Sequence, residues 1–184
     1  MLWVSWMWCW CLTMIAGFSL APSRPRDVSN PLAQGDLATL DAIVAELYSV
    51  ISGPSGKVRD WDRFRSLFRP DAKLMAAVPG EAEAGRLVSM TPDEYVTRNG
   101  DYLVREGFFE TELARRTESF GAIAQVFSTY ETRLGEKDAK PYQRGINSIQ
   151  LWFDGKRWWI LSLVWQAETE RHKLPAKYRA RGSG

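Results

Sequence analysis

The second half of the chain constrains the fold most. From Phe108 onward four long runs read as strands, about Phe108 to Phe120, Ala122 to Arg133, Gly145 to Phe153 and Arg157 to Ala167, with turns rather than helices between them. Such short connections make neighbouring strands antiparallel, because a parallel pair needs a crossover of about a dozen residues. Asp154-Gly155 marks a tight hairpin turn between the last two. The first half reads differently. Leu37, Leu40, Ile43, Val44, Leu47, Tyr48 and Ile51 recur at helical spacing, so one buried helix face is expected from Asp36 to Ser52, stopped by Gly53, Pro54 and Gly56. A second helix is expected from Trp61 to Phe68, a turn at Arg69-Pro70-Asp71, and a short strand from Lys73 to Val78. Thr91-Pro92-Asp93-Glu94 is a capping box with proline at the first helical position, opening a third helix that runs to about Arg105. Helices first and strands afterwards make an α+β domain, with a mostly antiparallel sheet and the helices gathered on one face.

Composition removes several function classes. The 24 Lys and Arg nearly balance 22 Asp and Glu, a net charge of +2, so no chain-wide electrostatic footprint for nucleic acid is present. Cys9 and Cys11 are the two cysteines, both far ahead of the first helix, so the folded domain is expected to hold no disulfide. The single histidine, His172, follows the last strand. Histidine-based triads, metal sites and general bases are thereby excluded from the core, and neither a metal nor another cofactor is expected.

The 184 residues divide into four expected parts. Residues 1–20 carry no charged side chain and four of the nine tryptophans. They read as a signal-like or anchor segment, or as an artefact of an upstream start site; export follows from the first, and a cytoplasmic domain otherwise. Residues 21–35 read as a linker and residues 36–168 as the domain. Residues 169–184, with Arg171, Lys173, Lys177, Arg179 and Arg181, read as a solvated, frayed basic tail.

The segment Phe64 to Ala72, in which a short helix ends in Leu-Phe-x-x-Asp-Ala, and the terminal hairpin NSIQLWFDGKRWWILSLVWQ resemble the nuclear transport factor 2-like (SnoaL-like) superfamily over residues 36–168. The resemblance implies a cone-shaped, curved, mostly antiparallel sheet packed on three N-terminal helices, with a pocket inside the cone. It does not select an activity, since the superfamily holds ketosteroid isomerases, polyketide cyclases, dehydratases, epoxide hydrolase relatives and non-catalytic association modules. Its isomerase pattern places Ala76 where the catalytic base belongs, and alanine takes no proton; Tyr48 falls near the isomerase tyrosine. Cyclase and dehydratase relatives rely on a cavity histidine that this chain lacks. An epoxide-hydrolase-like cluster would draw on Asn147, Arg144, Glu112 and Arg116.

Strand parity supplies the remaining candidates. Ala122, Ala124, Val126, Ser128 and Tyr130 share one side, and their small size leaves room for a cavity, so Ser128 and Tyr130 are expected to face it. Tyr48, Trp61, Tyr130, Asn147, Gln150, Trp152 and Trp165 are candidate ligand contacts, and Asp60 or Glu112 the candidate acid or base. In the last strand Trp159, Leu161, Leu163 and Trp165 form one face, and Trp158, Ile160, Ser162, Val164 and Gln166 the other; which is inside stays open. Because both faces are apolar, a homodimer through the sheet is expected. The resulting expectation is a protein that binds a small hydrophobic molecule in its pocket as a homodimer. An isomerase, dehydratase or hydrolase with a buried carboxylate, and an association module using the sheet face, are the alternatives.

Overall fold

The computed structural model describes residues 37–80 and 85–179. The expectations for residues 1–20, for the linker and for the last five residues of the tail lie outside the described residues. Three helices, α1 (Leu40–Ile51), α2 (Trp61–Ser66) and α3 (Pro92–Glu106), pack on one face of a sheet built from β1 (Phe68–Val78), β2 (Arg86–Met90), β3 (Phe109–Phe120), β4 (Ile123–Arg133), β5 (Gln143–Phe153) and β6 (Trp158–Ala167). The strand order is β2-β1-β6-β5-β4-β3, with β1 and β6 parallel and the other neighbours antiparallel. This is the expected α+β cone.

Local chemistry sets the helix boundaries. Thr39 and Asp60 cap α1 and α2 through their side chains, and Thr91 and Glu94 form the reciprocal capping box at the start of α3. From α1, Ile43, Val44, Leu47 and Tyr48 are buried against the sheet, where they meet Leu74, Val126, Ile149, Leu151, Ile160 and Leu163 in one core. Burying a side chain of this size contributes about 1.5–3 kcal/mol, so α1 is held by its apolar face far more than by helix propensity.

Three expectations need correction. The turn placed at Arg69-Pro70-Asp71 is strand: β1 begins at Phe68, and its pairing with β6 slips between Phe68 and Lys73. That irregularity accommodates Pro70, which has no N–H to give to a ladder. Strand β2 was not expected at all; it is a short edge element paired antiparallel with the end of β1. In β6 the register against β5 shifts between Gln150, which pairs with Ser162, and Leu151, which pairs with Ile160, leaving Leu161 as the extra residue. A bulge of this kind inverts alternation beyond it. Trp158 and Ile160 therefore share the inner face with Leu163 and Trp165, whereas Trp159, Ser162 and Val164 lie outside.

The tail also departs from expectation between residues 169 and 179. Leu174 is buried, the Thr129 hydroxyl donates to the Tyr178 carbonyl at 2.6 Å, and the Tyr178 ring packs on Phe127 at 5.0 Å between centroids. Two apolar anchors are enough to seat this basic segment on the outer face of β4, where Thr129 becomes fully buried.

Arg59 joins the helices to one another. It is 4% exposed, and its guanidinium donates to the carbonyls of Ile51 at 3.0 Å, Gly53 at 2.6 Å, Pro54 at 3.3 Å and Leu103 at 2.9 Å, and also to that of Lys57. These carbonyls include helix-end groups that lack intrahelical partners. Replacing Arg59 by Met keeps the side chain's length and removes every donor. We expect Arg59→Met to lower the unfolding free energy by about 3–5 kcal/mol, read from urea denaturation, because several buried acceptors lose their partners together.

Candidate functional site

The inner face of the cone collects polar side chains from three strands because paired residues point the same way. Ser128 of β4 pairs with Asn147 of β5 and with Arg115 of β3, and Tyr130 pairs with Gly145 and with Glu112. The β3 register shifts between Glu112 and Ala114, leaving Leu113 as an extra residue. This bulge puts Glu112 and Arg115, three residues apart, on the same face. Gly145 is required opposite Tyr130: a Cβ there would overlap both the Tyr130 hydroxyl and the carbonyl of Gln166.

One hydrogen-bonded chain crosses the floor of the cone. Arg115 donates from Nε at 2.9 Å and Nη2 at 2.6 Å to Oε2 of Glu112, and from Nη1 at 2.8 Å to Asp41. The Ser128 hydroxyl donates to Oε1 of Glu112 at 2.5 Å. A hydroxyl has one proton to give, so at the 2.7 Å contact between Tyr48 and Ser128 the tyrosine is the donor. Asn147 then donates from Nδ2 to Tyr48 Oη and to Glu110 Oε1, each at 3.1 Å. The chain has a direction, and the proton of Tyr48 is committed within it. At its far end, among the described residues no group donates to the second carboxylate oxygen of Glu110.

Glu110 faces a cavity of about 180 Å³. Its walls are Leu47, Ile51 and Phe64 from the first two helices, Tyr95, Tyr102 and Leu103 from α3, and Phe108, Tyr130, Leu163 and Trp165 around the sheet, with Asn99, Gln143 and Asn147 as polar companions. Tyr95 stacks on Phe64 at 5.2 Å and meets Trp165 edge-on at 6.3 Å. Through the cavity Glu110 keeps some contact with solvent, but apolar groups enclose it otherwise. Burial accordingly pushes its carboxyl up to about 7, opposed by the hydrogen bond from Asn147. Burial likewise pushes the hydroxyls of Tyr48, Tyr95 and Tyr130 up, so they stay neutral.

The candidates read from sequence separate into two groups. Tyr130, Asn147 and Trp165 line the cavity, while Tyr48, Ser128 and Glu112 form the chain beneath it. Gln150 is exposed on the outer face; Trp152 is on the same face, under the Arg69 guanidinium at 5.4 Å. Their even parity on β5 puts them opposite the buried Asn147, Ile149 and Leu151. Trp61 fills the seam between α2 and α3, edge-on to Phe64 at 6.0 Å and against Gly100, and is absent from the cavity wall. Asp60 accepts from the Arg63 amide at 2.8 Å as a helix cap and is exposed. Arg144 pairs outward with Glu131 at 3.5 Å, and Arg116 lies over the Tyr178 ring, so neither joins Asn147 and Glu112 in a cluster. Ala76 pairs with Trp165 on the inner side. Glu110 was not singled out from the sequence. The available signal was its parity with Glu112, two residues on.

The raised carboxyl of Glu110 has a measurable consequence. Its folded value lies above its ordinary 4.5, so between those values the folded state binds more protons than the unfolded chain. The stability contributed by the protonated form is present at low pH and lost as pH rises through about 7. We expect the unfolding free energy to fall by about 2–3 kcal/mol between pH ~4.5 and ~8, and Glu110→Gln to flatten that fall in parallel denaturation curves.

No protein-family model and no curated protein matches the chain, but solved structures do. An NTF2-like protein with a cystatin-like fold from Novosphingobium aromaticivorans superposes with a TM-score of 0.52 at 11% identity, covering 74% of this chain and 81% of that one. An NTF2-like protein of unknown function from Pseudomonas putida gives 0.52 at 11% identity, over 73% and 89%. The yeast UBP3-associated protein BRE5 gives 0.51 at 13% identity, over 71% and 94%. The chain has the nuclear transport factor 2-like fold with its cystatin-like cone.

Proposed function

We propose that the chain binds a small hydrophobic molecule inside the cone and does so as a homodimer. The observation that carries this reading is the cavity of about 180 Å³, walled by six aromatic rings and aliphatic side chains, with polar groups concentrated at Glu110, Asn147, Asn99 and Gln143. That is the chemistry of a small-molecule pocket, in which apolar walls supply affinity and a few polar atoms fix orientation. Size limits the occupant: an apolar cavity of about 150 Å³ holds benzene, so a compound with one ring and a short substituent fits. A fused polycyclic ligand does not fit this conformation. The dimer is supported by the outer sheet face, where Ile123 and Leu161 are exposed and Trp152, Trp159, Val164 and Ile146 are half-buried beyond the reach of the helices.

One observation favours a second reading, catalysis. A carboxyl titrating near 7 beside an organic ligand has the proton affinity suited to general acid–base work. Glu110 then takes the role that the sequence assigned to Asp60 or Glu112. Of those, Glu112 is engaged by Arg115 and Ser128, and Asp60 caps a helix.

p-Cresol is a suitable neutral single-ring probe. At ~1 mM and a dissociation constant of about 100 μM it stabilises the fold by about 1.4 kcal/mol, raising Tm by about 3–6 °C. Leu163→Trp fills the cavity and should abolish that shift; a shift that persists in this variant locates binding elsewhere and defeats the reading. Light scattering should give twice the chain mass, and Val164→Glu, which places a charge in the centre of the outer face, should give the monomer.

A further inference from the structure

The polarity of the cavity is one-sided. Glu110 is the charged residue in its wall, and no Lys, Arg or His lines it among the described residues. The cation nearest along the hydrogen-bonded chain, Arg115, is already engaged by Glu112 and Asp41, beyond Ser128 and Tyr48. Asn147 supplies one neutral hydrogen bond to Glu110, and the second carboxylate oxygen has no donor among the described residues. An enclosed carboxylate with one neutral donor is an unfavourable arrangement that a positive charge relieves. Nothing in the wall supplies that charge.

The aromatic groups around Glu110 have the matching preference. Asn147 pairs across the sheet with Trp165, so the indole stands beside the residue that holds Glu110; Tyr95 meets that indole edge-on, and Tyr130 and Phe108 complete the surround. Ring faces attract cations, and the attraction grows in a site shielded from water. A carboxylate ligand would face Glu110 without a counter-ion. A neutral ligand would leave the acid as it is.

Resting on the pocket reading above, we infer that the natural occupant is a small organic amine, bound as its ammonium ion: the N–H groups meet the free oxygen of Glu110, and the apolar body lies among Tyr95, Phe108, Tyr130 and Trp165. The cavity volume restricts that body to one ring or an aliphatic group of similar size.

Calorimetry with three probes of the same shape tests this: phenethylamine as the cation, phenethyl alcohol as the neutral isostere and 3-phenylpropionate as the anion. At pH ~8 the amine is expected to bind at least about tenfold more tightly than the alcohol, and the anion not to bind. Glu110→Gln should weaken the amine by at least about tenfold and leave the alcohol within about twofold. The tyrosines facing Glu110, namely Tyr48, Tyr95, Tyr130 and Tyr142, are all shifted up and do not titrate near 7; Glu112 is the other carboxylate close by, held by Arg115. At pH ~7 amine binding should therefore release protons from Glu110, read as a heat that varies with the buffer's ionisation enthalpy, and the alcohol should release none. Alcohol binding as tight as amine binding, or amine binding without proton release, overturns the amine inference and leaves the pocket reading intact. Failure of all three probes to bind the wild-type chain overturns both.

Discussion

The guanidinium of Arg59 is the point on which the open end of the cone depends. Its acceptors belong to the last residues of α1, to the loop that follows and to α3, segments that are otherwise joined by a single antiparallel bridge between Gly53 and Phe108 and by the Gly56 amide donating to the Val104 carbonyl. Ile51 and Leu103, whose carbonyls it engages, also line the cavity, and Gly53 exchanges backbone hydrogen bonds with Phe108, another wall residue. One buried cation thus holds three parts of the pocket rim through main-chain atoms. Local strain or a helix shift at this point would move wall residues together rather than one at a time, because interiors are close-packed and transmit displacement.

The floor of the cone is fixed by a different kind of constraint, the count of protons. Glu112 accepts, Ser128 donates to it, Tyr48 must donate to Ser128, and Asn147 must donate to Tyr48. Each group has one satisfactory role, so the chain has little freedom to reverse, and satisfied networks of this kind rigidify a core. A consequence follows for chemistry. Tyr48 looks like a donor for a ligand when the residues are considered alone, yet its proton is directed away from the cavity. The acid-base capacity of the wall rests with Glu110.

Much of the fold was legible because periodicity and capping are local. Thr91 to Glu94 announced α3, and the four strands from Phe108 onward followed from alternation and turns. What escaped was set by register. A single extra residue near Leu161 moved Trp158 to the inside and Trp159 to the outside, and one near Leu113 brought Glu112 and Arg115 to one face. Bulges of this kind leave no compositional mark when the inserted residue is as apolar as its neighbours. Glu110 escaped for a related reason: Phe109-Glu110-Thr111-Glu112 alternates as a half-solvated strand does, and only the approach of α1 and α3 encloses the acidic side. Gln150 and Trp152 illustrate the converse, with side chains suited to a pocket but a parity opposite to that of Asn147.

The position of Glu110 sets stability against the proposed binding within one residue. An apolar side chain there would join Leu47, Phe108 and Leu163 without the desolvation that raises the carboxyl. Local rules of core formation favour such a replacement, and departures from those rules gather at sites where a group does chemistry or binds. The surroundings point the same way. Asn147 has both amide protons directed, one into the floor and one at Glu110, so the acid is oriented by the same chain that fixes Tyr48. Glu110 is held at a fixed angle, with an oxygen left open to a cavity, and that preorganisation is what the proposed binding of a small molecule calls for.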